Sequence, residues 1–103
     1  MKTYGLDKIE KLGGTITFDD ISKLNKTIDI SLMIDDLKEN LFQASFPLGM
    51  TIDIGWYPEF SEYGSFRITL IENSNWEIPI YSKRAKNWEE LDKAIIAALE
   101  KIK

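Results

Sequence analysis

Two stretches of alternating polar and apolar residues, joined by one turn, constrain the fold of this chain more than any other feature. The first runs from residue 50 to 57 and the second from 65 to 72. The apolar members recur at every second position: Ile52, Ile54, Trp56, Phe66, Ile68 and Leu70. A period of two is typical of strands that bury one face. Pro58, which has no backbone donor, and Gly64 bound the turn between them. We therefore predict an antiparallel hairpin at the centre of a sheet.

Two further runs extend this hairpin. Phe42, Ala44 and Phe46 alternate with polar residues until Pro47 and Gly49 impose a turn. Short connections favour pairing between strands that are consecutive in the chain. The sequence therefore predicts a four-stranded antiparallel meander, with strands near residues 41–46, 50–57, 65–72 and 78–83.

The last element is a helix with one apolar side. Asn87 is a favourable N-cap, and Glu90 stands three positions later, as in a capping box. Apolar residues then recur at helical spacing: Trp88, Leu91, Ile95, Leu99 and Ile102. We predict a helix of about 15 residues that packs on the apolar sheet face. The opposite face would then carry a polar and aromatic set: Gln43, Ser45, Asp53, Tyr57, Arg67, Thr69 and Tyr81.

Weaker signals precede the sheet. A short helix is predicted from Leu6 to Leu12, ahead of the break at Gly13-Gly14. Residues 15–18 could form a brief strand, but the spacing of Thr17 and Asp20 imitates a capping box and favours a short helix over 18–25. Ser31 is a good N-cap for another short helix over 32–40. The expected fold is a single α+β domain over residues 1–103.

The composition removes several classes of function. The 103 residues are 44% hydrophobic and 29% charged, and they contain neither cysteine nor histidine. Thiolate metal sites, cysteine nucleophiles and the usual general base are therefore excluded. No apolar run is long enough for a membrane span, and the N-terminus lacks the pattern of a signal peptide. We expect a cytoplasmic protein without hydrolase or nuclease activity, cofactor or metal.

The net charge of −4 is unevenly distributed along the chain. Residues 29–80 contain nine acidic residues against Lys38 and Arg67, a net charge of −7. Such a segment repels phosphate backbones, so direct binding of nucleic acid is not expected. A basic protein would be attracted, although an acidic surface also serves solubility alone.

Paired carboxylates could in principle support acid–base chemistry or bind magnesium. The three pairs are Asp19-Asp20, Asp35-Asp36 and Glu89-Glu90. Each stands near the start of a predicted helix, where acidic residues cap the backbone and complement its dipole. A structural role is therefore favoured, and no phosphate-binding loop or nucleophile motif occurs elsewhere.

The turn after Trp56 has the composition of a protein-binding surface. Residues 56–63 hold four aromatic and two acidic residues, more than a turn can bury. Exposed tyrosine surrounded by charge is common at interface hot spots, although an inert turn is the alternative. The candidate partner-binding residues are Asp53, Tyr57, Glu59, Glu62 and Tyr63.

Four segments taken in order resemble the small immunity proteins of contact-dependent growth inhibition and related polymorphic toxin systems. They are NLFQ at 40–43, IDIGWYPE at 52–59, GSF at 64–66 and NWEIPI at 75–80, ahead of the C-terminal helix. The resemblance covers about residues 30–102. It implies a cytosolic protein that binds and blocks the toxic domain of an effector, often a nuclease. The matching Gly, Trp and Pro are structural, so the resemblance transfers no inhibitory residues.

Two other functional classes stay open at the level of sequence. One is a small enzyme or ligand-binding domain that uses carboxylates of the sheet. The other is a housekeeping adaptor between proteins. The missing histidine and cysteine count against the enzyme, and the uneven charge counts against an adaptor that needs no electrostatic steering.

Overall fold

Five antiparallel strands and two helices form the described part of the chain, and the sheet is built around the predicted hairpin. The computed structural model describes residues 7–102. The strands lie side by side in chain order. The elements are α1 (Asp7–Lys11), β1 (Thr15–Asp19), β2 (Phe42–Phe46), β3 (Met50–Tyr57), β4 (Ser65–Glu72), β5 (Tyr81–Ala85) and α2 (Trp88–Glu100). The predicted α+β class, the antiparallel sheet and the C-terminal helix are confirmed.

The central hairpin has the predicted strand boundaries. β3 and β4 pair without interruption from Met50 opposite Glu72 to Tyr57 opposite Ser65. The alternating apolar residues of both strands are buried on one face: Ile52, Ile54, Trp56, Phe66, Ile68 and Leu70. The period of two therefore identified both the strands and the face that they bury.

The four-stranded prediction is wrong by one strand. Residues 15–19 form β1, which pairs with β2, and the predicted helix over 18–25 is reduced to one 3-10 turn, Ile21–Lys23. The register shifts between Ile16 and Phe18, where the Thr17 hydroxyl donates to the Gln43 carbonyl at 3.1 Å. Pairing with the edge of β2 satisfies the backbone of this segment, and this tertiary effect overrides the local capping pattern.

The helix predicted over 32–40 is also wrong. A kinked 3-10 segment, Ile30–Asp36, occupies its first part, and its N-cap is Asp29 rather than Ser31. The Asp29 carboxylate accepts from the Ser31 amide at 2.9 Å. Beyond it the chain extends beside β3, where the Trp56 amide donates to the Lys38 carbonyl at 2.7 Å. Contact with the central hairpin therefore replaces the last helical turns.

Several smaller boundaries also differ. β5 begins at Tyr81 instead of residue 78, and α2 has 13 residues. The Asn87 cap is confirmed, because its side chain accepts from the Glu90 amide at 2.8 Å. The first helix is α1, which ends at Lys11, and the predicted start at Leu6 lies outside the described residues.

One core lies between the sheet and the helices. α2 packs against β4 and β5. Its buried side is Trp88, Leu91, Ala94, Ile95, Ala98 and Leu99. The N-terminal half contributes other buried side chains: Ile9, Ile21, Met33 and Leu37. Within residues 7–102, neither helix combines the length and the apolar character that crossing a bilayer requires.

Candidate functional site

The sheet face that points away from α1 and α2 carries two of the five predicted site residues, Asp53 and Tyr57, and we call it the open face. The strand register places on it Phe18, Gln43, Ser45, Thr51, Asp53, Gly55, Tyr57, Arg67, Thr69, Ile71, Ser82 and Arg84. Tyr81 was also predicted for this face. It lies on the opposite face, because it pairs with Leu70 and packs against the core. The extra strand β1 brings the exposed ring of Phe18 to the face instead.

A close backbone contact shapes the open face at Gly55. A Cβ atom on Gly55 would lie 1.9 Å from the carbonyl oxygen of Glu39, so only glycine fits there. The Leu41 amide donates to the Ile54 carbonyl at 2.9 Å, and the Lys38 carbonyl accepts from Trp56. The chain between these two bonds therefore bulges over Gly55. This bulge brings Glu39 to the open face beside the strand that carries Asp53 and Tyr57.

Asp53 is half-buried at the centre of the open face. It lies between Gln43 on β2 and Thr69 on β4. Burial raises the pKa of the Asp53 carboxyl from 3.8 to about 6. The side chain borders a depression of about 240 Å³ together with Phe18, Asn40, Phe42 and Gln43. At neutral pH this depression therefore holds a negative charge that is only partly hydrated.

Tyr57 is the aromatic centre of the face. Burial raises the pKa of its hydroxyl, and the carboxylates of Asp53 and Glu39 raise it further, whereas Arg67 acts in the opposite direction. The guanidinium carbon of Arg67 lies 5.8 Å from the centroid of the Tyr57 ring, within cation–π range. Tyr57 therefore stands between the two acidic side chains and a basic one.

Hydrogen bonds hold the turn that follows β3. The Trp56 indole donates to the Ser61 carbonyl at 2.8 Å, and the Phe60 amide donates to the Leu37 carbonyl at 2.8 Å. The Glu39 amide approaches the Glu59 carboxylate at 3.5 Å, the long limit of a hydrogen bond. Glu59 is therefore placed next to Glu39 and at the border of the open face.

The five predicted site residues do not form one cluster. Asp53, Tyr57 and Glu59 share the surroundings of Glu39. Glu62 and Tyr63 lie farther along the turn, where the Tyr63 side chain is 86% exposed. Among residues 7–102, neither side chain forms a hydrogen bond or ion pair with the other three.

Two residues of the candidate site, Glu39 and Phe18, were not among the five predicted site residues. Glu39 was assigned to a helix and Phe18 to the start of another. The one available signal was Gly55, because a glycine inside a strand often marks a close approach of another backbone segment. Gly55 therefore indicates that another backbone segment passes close to β3, but the sequence does not show which segment it is.

The arrangement at Asp53 is suited to the binding of a cationic group. Among the described residues, no three acidic side chains are close enough to form a metal site. The partners of Asp53 across the strands are an amide and a hydroxyl, Gln43 and Thr69. A partly dehydrated carboxylate beside an aromatic ring suits a cationic side chain of a partner.

Comparisons of the chain with protein families, with curated proteins and with solved structures give no match. Function is therefore inferred from the residues of this chain and from their arrangement in the sheet.

We predict that Gly55→Ala destabilises the fold. The new methyl group would collide with the Glu39 carbonyl, so the bulge must move, and overpacking of this kind costs about 1–3 kcal/mol. Urea denaturation would measure the change. Ser45→Ala, at an exposed position of β2, is the control and should stay within about 0.5 kcal/mol of the parent. Equal stability of the two variants would show that the backbone does not pass this close to Gly55.

We predict that Asp53→Asn changes the pH dependence of stability. The folded-state pKa of about 6 is above the unfolded value of 3.8, so the folded protein holds the Asp53 proton more tightly. The stability from this proton is complete below about pH 4 and is lost as the pH rises through about 6. The gain in stability from Asp53→Asn should therefore grow between pH 4 and pH 7. It should reach about 1 kcal/mol, because partial solvation reduces the full effect of the shift.

Urea denaturation of both proteins at four or five pH values would measure this gain. NMR titration of the Asp53 carboxyl carbon would check its midpoint directly. A difference in stability that does not vary with pH would contradict the prediction.

Proposed function

We propose that this protein is an immunity protein that binds and neutralises the toxic domain of a contact-dependent growth inhibition or related polymorphic toxin system. A basic nuclease domain in the cytoplasm is the partner that its charge favours. The observation that carries the proposal is the position of Asp53 and Glu39 beside half-buried Tyr57, with Glu59 next to Glu39, on a sheet face that lies outside the core.

The motif residues that resemble the immunity proteins have structural roles that support this site. Gly55 admits the Glu39 bulge, and Trp56 packs edge-on against Phe66 at 5.0 Å between ring centroids. A Cβ atom on Gly64 would lie 2.5 Å from the Trp56 indole nitrogen. These residues therefore build the end of the hairpin beside which Glu39 and Glu59 lie.

The electrostatics suit inhibition of a nuclease. Such an enzyme presents a basic cleft to phosphate, and carboxylates placed on a partner can compete for the same positive field. Glu59 and Glu62 are exposed and can act at long range, whereas Asp53 is partly dehydrated and acts on contact. The site therefore combines steering groups at its border with a contact group at its centre.

A second candidate function is favoured by the depression at Asp53. A carboxyl group with a pKa near 6 beside a cavity of about 240 Å³ is suited to bind a small cationic ligand or to transfer a proton. Saturable binding or turnover of such a ligand, lost in Asp53→Asn and accompanied by failure to neutralise a toxin domain, would favour this alternative.

The decisive test is neutralisation. The genes beside this one would be searched for a large secreted protein, and its C-terminal domain would be purified and assayed on tRNA, rRNA and DNA with and without this protein. The expected result is stoichiometric inhibition through a stable complex. A toxin domain that keeps full activity at saturating concentrations of the folded protein would overturn the proposal.

We predict that charge reversal at the turn slows association with this toxin domain. Glu59→Lys combined with Glu62→Lys removes the steering charge, and the on-rate at low salt should fall about tenfold with a smaller change in the off-rate. The difference should shrink as salt screens the charges. Stopped-flow kinetics at several salt concentrations would measure both rates.

The matched control combines Glu72→Lys with Glu77→Lys, which makes the same change in net charge at the opposite end of β4. Both residues are exposed. An equal loss of on-rate in the two double variants would show that net charge acts without a local site.

We predict that Tyr57→Ala weakens the complex through faster dissociation. An aromatic side chain at the centre of an interface contributes about 2 kcal/mol or more, so the off-rate should rise roughly 30-fold or more. Tyr57→Phe keeps the ring beside Arg67 and should have a much smaller effect. Surface plasmon resonance would measure the rates, with denaturation to verify folding. An unchanged off-rate in folded Tyr57→Ala would place the interface elsewhere.

A further inference from the structure

The open face is not acidic throughout, because its β4–β5 half carries two arginines side by side. Arg67 and Arg84 are direct partners in the register between these strands. Their neighbours Phe66 and Ala85 are buried in the core, so both arginines belong to the open face. Both side chains are exposed. Directly opposed positions bring side chains to about 5 Å at their Cβ atoms.

This pairing is unfavourable in the isolated protein. Like charges directly opposite each other destabilise a sheet. Among residues 7–102, neither arginine forms an ion pair with a carboxylate, and the contact of Arg67 is with the neutral ring of Tyr57. Arg84, on the edge strand, also borders the depression between β5 and α2, together with Lys83 and Glu90. The positive charge of this half of the face is therefore available to a ligand.

Two hydroxyl groups complete the set. Thr69 and Ser82 are direct partners in the next row on the same face, two positions along each strand from the arginines. Guanidinium groups bind carboxylates and phosphates through paired hydrogen bonds, and hydroxyl groups can donate to the same oxygens. Donors of these two kinds on adjacent rows suit an anionic group of small size.

We infer that Arg67, Arg84, Thr69 and Ser82 form an anion-binding subsite that receives a carboxylate side chain of the partner protein. The identity of that partner rests on the proposed function. Its contact surface would then be bipolar, with cationic groups against Asp53, Glu39 and Glu59 and an acidic group against the two arginines.

A carboxylate fits the surroundings better than a nucleic acid does. A strand of phosphates that followed the face beyond Arg67 would meet the carboxylates that surround Tyr57, since Glu39 and Asp53 both act on this ring. Repulsion there opposes a long polyanion that spans the whole face, but not carboxylates that stay on the β4–β5 half. The alternation of charge across the face therefore selects a partner whose charges alternate as well.

NMR titration of the whole protein with hexaglutamate tests the subsite without the toxin domain. The expected result is saturable shifts of the Arg67, Thr69, Ser82 and Arg84 amides and of the arginine side-chain Nε–H groups. Arg67→Gln combined with Arg84→Gln should weaken binding at least about fivefold, the effect of roughly 1 kcal/mol for exposed charge pairs.

Lys83→Gln is the matched control, because Lys83 lies on the same strand and is exposed but pairs with Ile68 on the core face. This variant should bind hexaglutamate as the parent does. Shifts scattered over the surface, or an equal loss in the control, would overturn the inference. Tighter binding of a six-nucleotide single-stranded DNA at the same residues would overturn it in favour of nucleic acid.

The subsite and the proposed function fail separately. If the parent protein shows no saturable response to hexaglutamate, the subsite does not exist, even if the protein neutralises the toxin domain. If the parent protein does not bind the toxin domain, the proposed function is wrong, even if hexaglutamate binds at the arginines.

Discussion

The contact between the Glu39 carbonyl and Gly55 is the constraint on which the arrangement of the open face depends. A side chain at position 55 would occupy the space of that carbonyl, so the central strand must carry a glycine where the connecting segment crosses it. The crossing fixes two further bonds, from Leu41 to Ile54 and from Trp56 to Lys38. Because position 55 has no side chain, the segment before β2 can pack against the end of the hairpin. This packing places Glu39 beside Tyr57.

The same crossing limits the mobility of the turn after β3. Leu37, which is buried, accepts from the Phe60 amide, and the Trp56 indole holds the Ser61 carbonyl. A surface loop tied to the core at two points loses little freedom when a partner binds. The backbone of this turn is therefore held in place, which would favour slow dissociation of a partner bound there.

Sequence patterns predicted the elements that depend on local interactions and missed those that depend on contacts between residues far apart in the chain. β3 and β4 were predicted to their end residues because alternation and turn chemistry are local. β1 and the 3-10 segment Ile30–Asp36 were missed because pairing with β2 and contact with β3 override their local helix signals. Asp53, Tyr57 and Glu59 were chosen as candidates from the local composition of the strand and turn, whereas the position of Glu39 beside them depends on a long-range contact that no pattern of period two or 3.6 shows.

The net charge of a chain segment does not give the charge of the sheet face to which its residues contribute. The acidic middle segment contains only two basic residues, yet one of them, Arg67, lies beside Arg84 from the next segment and makes half of the open face positive. A uniformly acidic surface would attract any basic protein, whereas a divided surface also rejects basic partners that place a lysine or arginine against the two arginines. Such repulsion distinguishes partners that overall charge cannot. If the protein neutralises one toxin domain among many basic ones, the arginines would supply the discrimination and the carboxylates the attraction.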